Sequence, residues 1–110
     1  MSIHCTSLVL NVTLVYRPFF LFSGREKYTL PLDANSSTGY AWTRRDCFCP
    51  TIISDSHCYV QHKGPPGTGG TDTWTFTAIG QGEEVVKLAY ASETDPDQID
   101  QLIEIRFTVI

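Results

Sequence analysis

Two stretches of strict alternation constrain this chain more than anything else in it. Ile103, Ile105, Phe107 and Val109 alternate with Glu104, Arg106 and Thr108, and Trp74, Phe76 and Ala78 alternate with threonines. A period of two sends successive side chains to opposite faces, so each stretch reads as a half-buried strand. The other ordered runs are shorter but similar in kind, rich in β-branched and aromatic residues. Val9 to Tyr16 alternates loosely, Phe19 to Phe22 is apolar, and Tyr28, Leu30 and Leu32 alternate with Lys27, Thr29 and Pro31. Ala41 to Thr43 opens a further strand, Ile52-Ile53 and Cys58-Tyr59-Val60 suggest two short pieces, and Glu84 to Tyr90 precedes the last strand. No stretch holds a helical period with caps at both ends; Asp97 to Ile105 would manage one helical turn at most. Seven or eight strands separated by turn signals predict an all-β chain folded as a β-sandwich. The length of 110 residues fits one domain, and a hydrophobic fraction of 42% allows a core without disulfides or metal. Gly64-Pro65-Pro66-Gly67 forms a turn but is too short to separate domains.

Charge excludes one large class of function. The net charge is -4, and the eight basic residues are scattered, with Arg44-Arg45 the densest pair. Binding nucleic acid requires a cationic face, which this pattern lacks. The acidic residues gather late, at Glu83-Glu84 and then Glu93, Asp95, Asp97 and Asp100, as a solvated acidic loop would. Leu8 to Phe22 is the one candidate targeting segment, but it has no basic start and Arg17-Pro18 interrupts it. No signal peptide and no membrane span are expected, so a cytoplasmic or vesicular, lysosome-like location is favoured. Asn11-Val12-Thr13 and Asn35-Ser36-Ser37 match the glycosylation sequon, which carries little weight without a secretion signal. A monomer is the default expectation.

The cysteines and histidines offer chemistry that the spacing does not support. Cys47-Phe48-Cys49, His57-Cys58 and His62 invite a zinc reading, yet structural zinc sites use two to four residues between paired cysteines. A disulfide from Cys58 to Cys47 or Cys49 is sterically easier, and reduced thiols in a reducing compartment are equally consistent with the pattern. His57 does not activate Cys58, because neighbours on a strand point to opposite faces. The chain also lacks the strand, Gly-x-Ser-x-Gly and helix context of a serine hydrolase. No enzyme activity, metal or other cofactor is expected.

Two small-residue tips remain to be explained. Asn35-Ser36-Ser37-Thr38-Gly39-Tyr40 lies between two strand-like runs, and Gly67-Thr68-Gly69-Gly70 follows later, shortly before Trp74. Glycine permits positive φ and close backbone approach, while Asn and Ser brace turns through side-chain-to-backbone hydrogen bonds. Such tips suit a narrow wedge entering a cleft, and a rigid wedge loses little entropy on docking. On local residues alone, ordinary hairpin turns are the simpler reading.

The two tips, in this order and with a closing strand Arg106-Phe107-Thr108-Val109, resemble the chagasin family, inhibitors of papain-like cysteine proteases. The first loop of that family has the form Asn-Pro-Thr-Thr-Gly-aromatic, read here as Asn35 to Tyr40 with Ala41-Trp42 following; the second carries Gly-x-Gly-Gly. The resemblance covers roughly residues 19–110, with residues 1–18 as an N-terminal extension or first strand. It implies an immunoglobulin-like sandwich with three loops side by side at one end. It further implies reversible, non-covalent occlusion of a protease cleft. Asn35, Ser36, Ser37, Thr38, Gly39 and Tyr40 would enter the catalytic centre, with Ser37 and Thr38 nearest the protease's Cys and His. Gly67, Thr68, Gly69 and Gly70 would lie along the cleft. Ser92, Glu93 and Thr94 would grip the other side, where the family carries Arg-Pro-Trp. Losing that Trp would cost about 2 kcal/mol of affinity if it is a hot spot. Without the resemblance, a β-sandwich interaction module with ordinary turns is the alternative.

Overall fold

The computed structural model describes residues 6–16, 26–45 and 52–110. Seven strands run in chain order: β1 (Thr6–Leu14), β2 (Lys27–Ala34), β3 (Tyr40–Arg44), β4 (Ile53–Gln61), β5 (Gly70–Ala78), β6 (Gly82–Ser92) and β7 (Ile99–Val109). They form two sheets, one ordered β1-β7-β6-β3 and the other β2-β5-β4, the arrangement of an immunoglobulin-like sandwich. All neighbours are antiparallel except β1, which runs parallel to β7.

The two alternating stretches supply the facing walls of the core. On β5 the side chains of Trp74, Phe76 and Ala78 are buried between the sheets; on β7 those of Ile103, Ile105, Phe107 and Val109 are. Phe76 and Phe107 meet across the sandwich with centroids 5.3 Å apart, and Tyr28 packs against both. Val86, Leu88 and Tyr90 of β6, Trp42 of β3, and Leu14, Leu32 and Ile53 complete the cluster. Aromatic burial of this kind dominates core energetics, each pair adding about 0.5–1.5 kcal/mol beyond its area. Pro31 falls on β2, an edge strand, where a missing N–H costs little.

Two readings of the sequence end differently. Ile52-Ile53 and Cys58-Tyr59-Val60 are not two short pieces: Ile53 to Gln61 is one continuous edge strand paired with β5 throughout. Its middle looks unlike a strand because its inward positions are polar. Asp55 is bound by Arg44, which also reaches Glu84, and His57 is bonded to Asp72. The stretch from Asp97 to Ile105 holds no helical turn, and β7 begins at Ile99. Phe19 to Phe22, read as a strand, lies outside the described residues.

The register places three connections at one end of the sandwich. Ala34, the end of β2, lies opposite Gly70, the start of β5, and so does Gln61, the end of β4. Tyr40 at the start of β3 lies opposite Ser92 at the end of β6, and Ala91 lies opposite Ile99. The loops of residues 35–39, 62–69 and 93–98 are therefore neighbours, although they are far apart in sequence.

Candidate functional site

The first loop is a single 3-10 turn, Ser36–Thr38, capped at both ends by the residues its sequence supplies. Asn35 is the N-cap in extended conformation, and its side-chain oxygen accepts the Ser37 N–H at 3.1 Å and the Ser37 hydroxyl. This is the usual use of Asn before a helical turn, where the first N–H groups lack partners. The Thr38 N–H and hydroxyl both donate to the Asn35 carbonyl, at 3.1 and 2.7 Å. The chain then leaves through Gly39, whose φ of 78° and ψ of 12° are left-handed, and Tyr40 N–H meets the Thr38 hydroxyl at 3.3 Å. An L side chain at position 39 would be strained even though open space surrounds it. The result is a short knob whose residues Ser36 to Gly39 are all exposed.

Asn35 also ties this knob to its neighbours. Its side-chain nitrogen donates to the Gly67 carbonyl at 2.9 Å, across to the second loop. Its backbone N–H donates to the Tyr90 hydroxyl at 2.9 Å, on β6. With one amide oxygen facing Ser37 and the amide nitrogen facing Gly67, both ends of the side chain are engaged. The third loop attaches on the other side: Glu93 N–H donates to the Gly39 carbonyl at 2.8 Å. Beneath the knob, Trp42 donates its ring N–H to the Asp33 carbonyl at 3.0 Å, and Tyr40 and Trp42 both pack on Tyr90, at 5.6 and 5.1 Å between centroids.

The second loop turns through Pro65 and Thr68, whose N–H and hydroxyl both donate to the Pro65 carbonyl, and it closes where His62 N–H meets the Gly69 carbonyl at 2.9 Å. Gly67 and Thr68 are exposed at its tip, whereas Gly69 and Gly70 are buried at its base. The third loop is braced by hydroxyls. Ser92 Oγ lies 3.1 Å from Thr94 Oγ1 and accepts the Asp95 N–H at 3.3 Å. Arg45 reaches from beyond β3 to the Pro96 carbonyl at 3.0 Å. Glu93 and Thr94 are exposed, and Ser92 is half-buried.

The structure thus gathers all thirteen residues singled out from the sequence at one end of the molecule, with Asn35 and Tyr40 half-buried behind the knob. Sequence reading missed the two tyrosine hydroxyls behind the first loop, Tyr90 and Tyr59; the latter lies 3.5 Å from Ser36 N. The signal was a tyrosine on an inward strand position, whose hydroxyl needs a partner when the ring is buried.

The histidines and cysteines do not form a second site among the described residues. His57 stacks on Trp74 at 4.2 Å and bonds the buried Asp72, which also accepts the Trp74 ring N–H at 3.1 Å. His62 bonds the Thr71 hydroxyl at 2.7 Å. Cys58 is an exposed free thiol on the opposite face of β4 from His57. Cys5, Cys47 and Cys49, and with them the possible partners of Cys58 in a disulfide, lie outside the described residues. No group of three metal-ligating side chains occurs among the described residues.

Comparison with known proteins identifies the family and the fold. The family model for chagasin family peptidase inhibitor I42 matches residues 22–109. The solution structure of amebosin superposes with a TM-score of 0.69 at 22% identity, over 96% of this chain and 98% of that one. PbICP-C, solved in complex with falcipain-2, gives a TM-score of 0.71 at 15% identity, over 100% of this chain and 94% of that one. EhICP2, a cysteine protease inhibitor from Entamoeba histolytica, gives 0.65 at 16%, over 97% and 95%. At these identities the superpositions establish the shared fold. No curated protein matches the chain.

Proposed function

We propose that this chain, which belongs to the chagasin family of peptidase inhibitors, blocks papain-like cysteine proteases by seating its three-loop end across the active-site cleft. The family is one of inhibitors, not enzymes, and a solved relative, PbICP-C, is seen bound to falcipain-2, a partner of the proposed kind. The observation that carries the mechanism is the cross-linking of the three loops through Asn35, Gly67, Gly39 and Glu93. Loops held together before docking lose little conformational freedom on binding, which preserves affinity.

The first loop is the wedge. Ser37 and Thr38 stand at its exposed tip and would approach the protease's Cys and His. The wound 3-10 backbone would protect an inserted loop from cleavage. Peptides recognised by strand addition lie extended, with backbone groups open to pairing. Here the Thr38 and Gly39 N–H groups are already turned back onto Asn35 and Ser36 carbonyls. The tip fills the cleft without presenting an extended peptide bond. The exposed tip of the second loop, Gly67 and Thr68, would lie along the cleft, and Glu93 and Thr94 would contact its other wall.

Titration of papain and a cathepsin L-like protease with the protein, beside a Ser37→Arg/Thr38→Arg double variant, tests this reading. Competitive inhibition that the double change abolishes is the expected result. Absence of inhibition by the folded protein would overturn it and favour a plain interaction module.

A further inference from the structure

The buried half of the second loop has a role that its exposed tip does not share. Gly69 and Gly70 are buried in the free protein, so they have little surface to offer a protease. What surrounds them is the first loop and the strand behind it. A Cβ at Gly69 would come within 3.3 Å of the Ala34 carbonyl and 3.5 Å of the Asn35 amide nitrogen. A Cβ at Gly70 would lie 2.8 Å from both the phenol carbon and the hydroxyl of Tyr59, and would collide with the Val60 carbonyl. The bare backbone at Gly70 is therefore what lets the phenol end of Tyr59 settle at the base of the second loop. From there the hydroxyl faces Ser36 N at 3.5 Å, at the start of the wedge turn. Tyr59 faces inward on β4, opposite Asp72, so its ring is directed along the end of the sandwich rather than into solvent.

We infer that Tyr59 and Gly70 are positioning residues for the wedge: Gly70 makes room for the Tyr59 phenol, and the phenol supports the Ser36 end of the first loop from behind. This deepens the inhibitor reading and rests on it. In this arrangement the four-residue glycine motif is divided by role. Gly67 and Thr68 face outward, Gly67 also accepts from Asn35, and Gly69 and Gly70 shape the surface on which the first loop rests.

Two variants and two readouts test the inference. Tyr59→Phe keeps the ring and removes only the hydroxyl; Gly70→Ala displaces the phenol end. Each is followed by amide hydrogen exchange at Ser36 and Ser37 in the free protein and by the inhibition constant for papain, with a thermal melt as the control for folding. Tyr59→Phe is expected to speed exchange at Ser36 about threefold, weaken inhibition by a similar factor and leave the melting temperature unchanged, as the loss of one exposed hydrogen bond implies. Gly70→Ala is expected to weaken inhibition about tenfold. Because Gly70→Ala also sets a Cβ against the Val60 backbone carbonyl, exchange at Ser36 in Tyr59→Phe decides the inference. Wild-type exchange at Ser36 in a folded Tyr59→Phe protein would overturn the inference. If the wild-type protein fails to inhibit, the function reading falls, and exchange at Ser36 still decides whether Tyr59 supports the loop.

Discussion

Replacing Asn35 with alanine asks whether the wedge is held ready before it meets a protease. The change removes the acceptor for the Ser37 N–H at 3.1 Å and the donor to the Gly67 carbonyl at 2.9 Å. Loss of an N-cap acceptor costs about 1 kcal/mol. Loss of a neutral hydrogen bond costs about 1 kcal/mol net, and the partner groups here are exposed enough to find water instead. If docking must rebuild the turn, the combined loss of about 2 kcal/mol raises the inhibition constant about 30-fold. Asn35→Asp separates the two contributions. It keeps an oxygen for Ser37 N–H but loses the donor to Gly67, so the expected rise is about fivefold. Progress curves with papain at several inhibitor concentrations give association and dissociation rates for each variant, and a urea titration confirms that each is folded. The expected order of weakening is alanine, then aspartate, then wild type. An alanine variant within twofold of wild type would refute the claim of a preorganised wedge. An aspartate variant as weak as alanine would refute the separate contribution of the cap.

Four further outcomes follow from the same geometry. Gly39→Ala forces an L residue into the left-handed region at φ 78°, and urea unfolding should show a loss of about 1–2 kcal/mol. Asp72→Ala leaves the Trp74 ring N–H and His57 without their buried acceptor, a loss of about 1–3 kcal/mol by the same assay; an unchanged midpoint would mean that water replaces the carboxylate without cost. Phe76→Ala empties a fully buried position between Tyr28 and Phe107 and should cost about 3–5 kcal/mol, enough to leave the protein partly unfolded at 37 °C by circular dichroism. Thr94→Trp adds an aromatic anchor to the exposed third loop and should tighten papain inhibition by about tenfold or more if it finds a pocket.

Legibility in the sequence followed the environment of each strand. β5 and β7 have apolar inward positions, so their period of two is plain, and they face each other across the core. β4 hides because Asp55 and His57, on the same face as buried Ile53, are polar and exposed and are held by Arg44 and Asp72 of other strands. Hydrophobic periodicity detects burial against apolar neighbours, and an edge strand exposed at all but Ile53 and half-buried Tyr59 gives no such signal. The loop tips were visible as composition, since Asn, Ser and Gly are the residues such turns need. Their cross-links were not visible. Asn35 meets Gly67 and Tyr90 only because the register of two sheets brings positions 32 and 55 residues apart to one end.

The third loop shows how a departure from a family pattern can be structural as well as subtractive. By resemblance, the family carries Arg-Pro-Trp where this chain has Ser92-Glu93-Thr94. The proline of that pattern has no backbone N–H to donate. Glu93 does, and its N–H reaches the Gly39 carbonyl at 2.8 Å, fastening the third loop to the exit of the wedge. Ser92 and Thr94, in place of the cation and the aromatic, bind each other, and Ser92 accepts the Asp95 N–H. The three substitutions remove side chains suited to gripping a partner and add hydrogen bonds within the inhibitor. On the proposed reading, such an interface would rely more on the preorganised wedge and less on aromatic anchors, so changes at Asn35 should matter more here than changes at residues 92–94. Alanine at all three of those positions preserves the backbone N–H of residue 93, and its effect on papain inhibition should be smaller than that of Asn35→Ala. The reverse order would place the binding energy in the third loop and contradict the argument.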